Sequence, residues 1–333
     1  MAARSQSILP APTGELIGRV GTVAEVCDLL KTRRLVTLVG TGGIGKTRVS
    51  LEVGRVLHRG FADGVWFIDF APLTDGALID GKLAAEMGIA DSGERPIRLA
   101  VTESLKRRRM LLLLDTCEHV IDAAAQLVEA ILLAAPDVYI VTTSREPLRI
   151  ACETIFHVPS LTYPKHKQQD VPLTNVSQFS AMTLFAERAQ AVDQIFTLSQ
   201  DDVPFVAEIC RRVEGIALGV ELAAACVRTF SVANLAQRLD MTLPILTRGS
   251  RTGSAHHRTM RALIDWSYGL LSSEERRLLH RVAIFVDGWT LDAAEAVCSD
   301  DSMRAEQVVP AIGACWSKDE AVREALKALS AHS

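Results

Sequence analysis

Short apolar runs alternate with longer amphipathic segments along the first half of the chain. Each run has the length of one buried strand, and each amphipathic segment repeats its apolar residues at helical spacing. This alternation is typical of an α/β fold with a parallel sheet. The predicted strands are Leu35–Val39, Val65–Phe70, Met110–Asp115, Tyr139–Thr143 and Thr154–Val158. The predicted helices are Val23–Leu30, Thr47–Leu57, Ile79–Met87, Ile97–Lys106 and Ile121–Ala134.

The strand pattern stops after Leu161, and only helical patterns follow. Ser199 and Asp202 have capping-box spacing, which predicts a helix start there. A polar stretch, Thr247–His257, indicates a linker. The helical segments are 177–192, 201–213, 216–229 and 231–239 before this linker, then Met260–Leu270, Glu274–Phe285 and Leu291–Val297 after it. The chain is therefore expected to comprise a lead-in (1–14), an α/β domain (15–161), a helical domain (162–246), a small helical group (258–298) and a partly helical tail (299–333).

Composition and charge narrow the function classes. Hydrophobic residues make up 48% and charged residues 23% of the chain, which is ordinary for a globular protein. The net charge of −4 gives no general attraction to nucleic acid or anionic membranes. The seven cysteines lack CxxC pairs and zinc-type spacing, and no apolar run reaches membrane-spanning length. We therefore expect a cytoplasmic protein without a signal peptide or membrane partner.

The strongest chemical signal is a glycine-rich octapeptide between the first strand and the next helix. Its residues are Gly40, Thr41, Gly42, Gly43, Ile44, Gly45, Lys46 and Thr47, the GxxxxGK[ST] pattern. The glycines let successive backbone N–H groups point at phosphate oxygens, and the helix adds its positive N-terminus. Lys46 is expected to reach the β- and γ-phosphates and Thr47 to ligate magnesium, with Arg48 completing the loop site. This P-loop predicts binding of ATP or ADP with Mg²⁺.

Two carboxylates after the third strand are candidates for the chemistry at the phosphates. Asp115 ends a buried apolar run, where P-loop proteins place an acid that holds magnesium or bonds the P-loop hydroxyl. Many ATPases have Glu at the next position, but here it is Thr116. Glu118 is the nearest carboxylate; it either orients water or complements the dipole of the following helix. We therefore predict slow hydrolysis at most.

A second charged candidate, Arg145, follows the fourth strand. The carboxyl end of a central parallel strand lies at the nucleotide crevice. A guanidinium there can contact the γ-phosphate through two parallel hydrogen bonds. The alternative is a surface arginine in a loop.

Taken together, these residues resemble the STAND class of signal-transduction ATPases, the NB-ARC-like group, over about residues 9–298. The resemblance is closest to bacterial regulators in which such an ATPase follows a winged-helix DNA-binding domain. The matching segments are Leu9–Pro12, Leu16–Arg19, Leu35–Thr47, Leu114–Val120, Thr143–Leu148, Ile209–Arg212, Gly215–Leu218, Glu221–Ala224, Asp265–Tyr268 and Leu270–Ser272.

The resemblance implies a five-stranded P-loop domain, a helical lid and a small winged-helix-like domain that closes over the nucleotide. It places Ile17, Gly18 and Arg19 near the adenine and makes Arg145 the phosphate sensor. It also places Gly215–Leu218, including Ala217, on the adenine and ribose side; many relatives have proline at position 217. We expect the switch without the DNA-reading domain and repeat array of such regulators, as in a fragment or a truncated gene.

The predicted function is an ATP/ADP-dependent signal-transduction switch, the regulatory module of a transcriptional regulator, with self-association in the ATP state. DNA binding is expected only if a reader domain is supplied. One alternative is a regulator that contacts DNA directly through residues 258–298. A second is a conventional P-loop ATPase or kinase.

Overall fold

The computed structural model describes residues 9–11, 14–89, 95–165, 171–247, 273–282 and 291–299 of the 333-residue chain. The chain divides into two compact units, Met1–Pro159 and Ser160–Ser333. Within the described residues, no helix is both long and apolar enough to cross a membrane.

A five-stranded parallel sheet forms the centre of the first unit, so the predicted α/β class is confirmed. Its order is β2-β3-β4-β1-β5. The strands are β1 (Leu35–Val39), β2 (Val65–Asp69), β3 (Met110–Asp115), β4 (Val138–Ser144) and β5 (Thr154–His157). These bounds agree with the sequence pattern to within one residue, because strands buried on both faces are continuous apolar runs.

Five helices connect or precede these strands. They are α1 (Val20–Leu30), α2 (Lys46–Leu57), α3 (Ile79–Glu86), α4 (Ile97–Leu105) and α5 (Ile121–Ala134), with short 3₁₀ turns at His58–Gly60 and Gly76–Leu78. Helix α1 begins three residues before its predicted start. Its first residue, Val20, is exposed, so burial gives no periodic signal there.

Close packing of α2 on the sheet fixes the element that follows the P-loop. A Cβ atom added to Gly54 of α2 would lie 2.8 Å from Leu113 Cδ1 of β3 and 3.1 Å from Val65 Cγ1 of β2. Only glycine therefore lets the helix approach these strands so closely. Every residue of β1 and β3 is buried, which gives the helix a rigid base.

The strand order gathers the predicted site at one edge of the sheet. Strand β4 lies between β1 and β3, and Val39 of β1 is opposite Ser144 of β4. On the other side, Leu114 is paired with Thr142, and Asp69 is opposite Asp115. The P-loop, Asp115 and Arg145 therefore all lie at the carboxyl ends of the neighbouring strands β1, β3 and β4.

The second unit is helical where it is described. Its helices are α6 (Ser180–Val192), α7 (Val203–Arg212), α8 (Ala217–Ala225), α9 (Val232–Thr247), Ser273–Val282 and Leu291–Cys298, with 3₁₀ turns at Leu173–Gln178 and Cys226–Arg228. The predicted helix 216–229 is thus shorter, and the predicted helix 231–239 continues to Thr247. The predicted helix Met260–Leu270 and the tail from residue 300 onward lie outside the described residues.

The predicted capping box forms before α7. The Ser199 hydroxyl donates to Asp202 Oδ2 at 2.5 Å, and the Ser199 amide donates to the same oxygen at 3.2 Å. The Asp202 amide returns a bond to Ser199 Oγ at 3.3 Å. The regular helix itself starts at Val203, one turn after the serine.

A left-handed pair of residues, Glu214 and Gly215, reverses the chain between α7 and α8. A Cβ atom on Gly215 would lie 2.2 Å from the carbonyl oxygen of Leu161, so the position excludes every other residue. Ile216 follows with φ −68° and ψ 120°, and Ala217 is the first residue of α8. The turn geometry is therefore fixed even though Ala217 replaces the proline of many relatives.

We predict that Ala217→Pro stabilises the protein. Proline is favoured at the first helical position, where the N–H has no intrahelical partner, and the extended Ile216 suits a following proline. A smaller loss of backbone entropy should raise the free energy of unfolding by about 0.4–1 kcal/mol. Thermal unfolding measures this, with Ala223→Pro inside the same helix as the destabilised comparison. A lower melting temperature for Ala217→Pro would contradict the assigned helix start.

Candidate functional site

The P-loop adopts the curled conformation that its glycines allow. Gly43 has φ 74° and Gly45 has φ 100°, both in the left-handed region that glycine enters without a Cβ penalty. Gly45 is also the residue that precedes the first turn of α2. The loop therefore ends at a helix N-terminus, where unpaired N–H groups and the helix dipole favour an anion.

The ammonium group of Lys46 is held inside this loop. Its Nζ donates to the carbonyl oxygens of Gly40 at 2.9 Å and Thr41 at 3.2 Å. Burial lowers the pKa of Lys46, an effect that the carboxylate of Glu118 opposes and the guanidinium of Arg145 reinforces. A half-buried cation inside a curled loop fits a polyphosphate, which would replace the solvation that the cation has lost.

Three threonine hydroxyls surround the carboxylate of Asp115. Oδ2 accepts from Thr47 at 2.9 Å and from Thr116 at 3.1 Å, while Oδ1 accepts from Thr143 at 2.6 Å. Of the two roles that the sequence left open for Asp115, the hydrogen bond to the P-loop hydroxyl is present, and the magnesium role stays a prediction. A hydroxyl and a carboxylate are the hard oxygen ligands that Mg²⁺ prefers, so this pair fits the metal of a nucleotide complex.

Burial makes the charge on Asp115 costly. Asp115 is only 4% exposed, and burial raises its pKa to about 6, with the carboxylate of Asp69 on β2 adding to the rise. The hydrogen bonds from Thr143, Thr47 and Thr116 act in the opposite direction. A divalent cation would favour the ionised form, so metal binding and deprotonation of Asp115 are linked.

Thr143 and Thr116 belong to the site, although the sequence analysis gave neither a site role. Thr143 is buried on β4, and its Oγ1 also accepts from the Thr116 amide at 3.0 Å. Thr116 has φ 59°, an uncommon conformation for a β-branched residue. The only sequence feature that could indicate a site role for Thr116 is its position directly after Asp115. Strain at this point fixes the direction in which the chain leaves β3.

Glu118 and Arg145, both predicted as catalytic-site residues, form an ion pair. Arg145 Nε lies 3.0 Å from Glu118 Oε1. A Cβ atom on Gly42 would lie 3.8 Å from Arg145 NH2, so the guanidinium borders the P-loop. Glu118 therefore has a partner in the site, which the interpretation as a helix-dipole acid alone does not include.

Arg19 supports the P-loop through a hydrogen bond to its backbone. Its guanidinium is 3% exposed and donates to the carbonyl oxygens of Ile44 at 2.8 Å and Pro159 at 2.5 Å. The preceding Gly18 has φ 66°, which turns the chain into α1, and Ile17 is half-buried. These contacts give Arg19 a structural role; the adenine contact of Ile17, Gly18 and Arg19 stays a prediction.

The structure also places three further predicted residues, Arg48, Gly215 and Ala217. Arg48 donates to the carbonyl oxygen of Glu15 at 3.1 Å, so it joins α2 to the segment before α1. In the second unit, Gly215 lies in the turn before α8, and Ala217 is the first residue of that helix. Their role on the adenine and ribose side stays a prediction.

Comparison with known proteins identifies relatives of this chain. "Putative HTH-type transcriptional regulator Rv0890c" of Mycobacterium tuberculosis is 38% identical over 275 residues, covering 83% of this chain and 29% of that protein. The uncharacterized protein Rv0894 of the same species is 34% identical over 285 residues, covering 86% and 69%. The crystal structure of a STAND protein with a tetratricopeptide repeat sensor, PH0952 of Pyrococcus horikoshii, superposes with a TM-score of 0.56 at 12% identity, covering 93% and 41%. This chain belongs to the same family as Rv0894, and it has the fold of the STAND protein PH0952.

The family assignment rests on Rv0894, whereas the likeness to a STAND protein is one of fold alone. No protein-family model matches the chain. The chain spans 29% of the length of the named mycobacterial regulator. The match thus includes most of this chain but less than a third of the regulator.

We predict that Asp115→Asn stabilises the metal-free protein at neutral pH. Because the pKa of Asp115 is about 6 rather than 3.8, the folded state binds more protons than the unfolded state between these values. The free energy of unfolding therefore falls as pH rises through this window, by roughly 2–3 kcal/mol at pH 7. Asparagine avoids this cost, and the melting temperature should rise by about 2–6 °C at pH 7.5.

Thermal unfolding at several pH values checks this expectation. At a pH of about 4 the aspartic acid is largely protonated, so the gain should shrink. The exposed Asp122, replaced by Asn, is the matched control. A melting temperature below that of the wild type at pH 7.5 would contradict the proposed cost of the charge.

Proposed function

We propose that this chain is a nucleotide-dependent switch that holds ADP or ATP with Mg²⁺ in the first unit. One observation carries the proposal: the P-loop hydroxyl of Thr47 is bonded to the strand-end carboxylate of Asp115 at 2.9 Å, and the half-buried ammonium of Lys46 lies in the same loop. This is the arrangement that positions magnesium and phosphates in P-loop proteins. The metal would supply charge neutralisation at the β- and γ-phosphates when bound.

The acidic groups support slow hydrolysis rather than rapid turnover. Thr116 occupies the position directly after Asp115, and its hydroxyl donates to that carboxylate. Glu118 is paired with Arg145 at 3.0 Å and so is not placed as a free general base. A site that binds tightly and hydrolyses slowly suits a timer or switch better than a metabolic enzyme.

The wider role that we propose is regulation of transcription. The support is the printed name of the 38%-identical mycobacterial relative, an HTH-type transcriptional regulator. In this proposal nucleotide exchange changes how the second unit, with its lid and winged-helix-like part, is held, and the ATP state can self-associate. A ligand drives such a change only if it binds the two states with different affinity. The scattered cysteines suit a reducing cytoplasm.

Identification of the nucleotide that co-purifies with the chain tests the proposal. Mass spectrometry should find ADP or ATP released from denatured wild-type protein, and Lys46→Ala should lose at least about tenfold of it, as expected for one charge-assisted contact. Lys31→Ala is the matched control, because Lys31 is exposed and pairs only locally with Asp28. Equal nucleotide retention by wild type and Lys46→Ala would refute the P-loop site.

Two further measurements separate the switch from its alternatives. Turnover above about 1 s⁻¹ would favour a conventional ATPase enzyme. Duplex binding at low salt that weakens steeply with added salt would favour direct contact of residues 258–298 with DNA. Most of that segment lies outside the described residues, so the described structure adds no support for this alternative.

A further inference from the structure

The ion pair between Glu118 and Arg145 leaves half of a carboxylate unsatisfied. Oε1 of Glu118 lies 3.0 Å from Arg145 Nε; the side chain of Glu118 is 20% exposed and that of Arg145 is 35% exposed. Oε2 is buried, and among the described residues it has no hydrogen-bond partner. Burying an unpaired carboxylate oxygen is costly, so the contact with Arg145 is the main compensation that Glu118 has.

The partner of Glu118 also borders the loop that would hold a terminal phosphate. Arg145 NH2 lies 3.8 Å from the position that a Cβ atom on Gly42 would occupy, so it is next to the loop that cradles phosphates. The charges of Glu118 and Arg145 both act on Lys46 in the same loop. Carboxylate and phosphate oxygens therefore compete for one guanidinium.

We propose that Glu118 is a specificity-determining residue that sets the preference between ATP and ADP, because it competes with the γ-phosphate for Arg145. The inference rests on the proposed nucleotide site. It gives Glu118 a role in binding that is independent of any role in hydrolysis.

The two nucleotides differ in what they require of this pair. ADP ends at the β-phosphate, so it can bind while the ion pair stays intact. ATP gains a contact with Arg145 only by removing the guanidinium from Glu118, which leaves a largely buried carboxylate without its partner. The pair therefore lowers the affinity for ATP relative to ADP and biases the protein toward its ADP state.

Equilibrium binding to the full chain tests the proposal. The ratio of Kd for MgADP to Kd for a magnesium complex of a non-hydrolysable ATP analogue is measured by calorimetry. Glu118→Gln should raise this ratio about tenfold, as expected when one charge-assisted hydrogen bond no longer has to be broken. Glu146→Gln is the matched control. It removes a charge from the residue that follows Arg145, whose carboxylate is exposed and pairs with Arg149. This control should leave the ratio unchanged.

A double-mutant cycle with Arg145→Ala separates competition from simple charge repulsion. Without the guanidinium there is nothing to compete for, so Glu118→Gln should have no effect on the ratio in that background. An equal rise in both backgrounds would mean that Glu118 repels the γ-phosphate directly, and it would overturn the proposal. An unchanged ratio for Glu118→Gln in the wild-type background would overturn it as well.

A second variant preserves the charge and guards against misfolding of the first. Glu118→Asp shortens the side chain by one methylene, so the pair should weaken and the ratio should rise although the charge remains. A ratio that stays at the wild-type value for a folded Glu118→Asp would oppose the competition. Wild-type protein that binds neither nucleotide would overturn the proposed function, whereas normal binding with an insensitive ratio overturns only this inference.

Discussion

The structure of the site depends on one constraint: a carboxylate buried at the end of the central strand must be surrounded by hydrogen-bond donors. Asp115 meets it with hydroxyls from the P-loop, from the residue that follows it and from β4. These donors come from three separate parts of the chain, so satisfying one group joins the start of α2 to the ends of two strands. These hydrogen bonds do not fully offset the cost of burying the charge, because burial still raises the pKa of Asp115 to about 6.

Two cationic side chains of the site, Lys46 and Arg145, also have partners within the protein. Lys46 bonds loop carbonyls, while Arg145 bonds Glu118, so each charged group is engaged by the protein itself. Such internal partners are what a phosphate must replace when it binds. The energy of nucleotide binding is then a difference between two sets of contacts, which is the condition under which a ligand can change the state of a protein.

The supporting residues show how the fold holds the loop in position. Gly54 lets α2 approach β3 closely, and Arg19 bonds the carbonyl oxygen of Ile44 inside the loop. Neither residue needs to contact a ligand to matter, since a displaced loop would misdirect the amides that face the phosphates. The turn at Gly215 shows the same principle in the second unit, where only glycine fits against Leu161.

The sequence by itself determined the strands, most helices and the P-loop, because these depend on local periodicity and on the chemistry of contiguous residues. It also offered a bond between Asp115 and the P-loop hydroxyl as one of two roles, because P-loop proteins place an acid after such a strand. Only the tertiary structure decided that β4 lies between β1 and β3. That order brings Thr143 to Asp115 and Arg145 to Glu118, contacts between residues 28 positions apart and between two strand-end loops. Local pattern carries no information on strand order, because every buried strand is apolar in the same way.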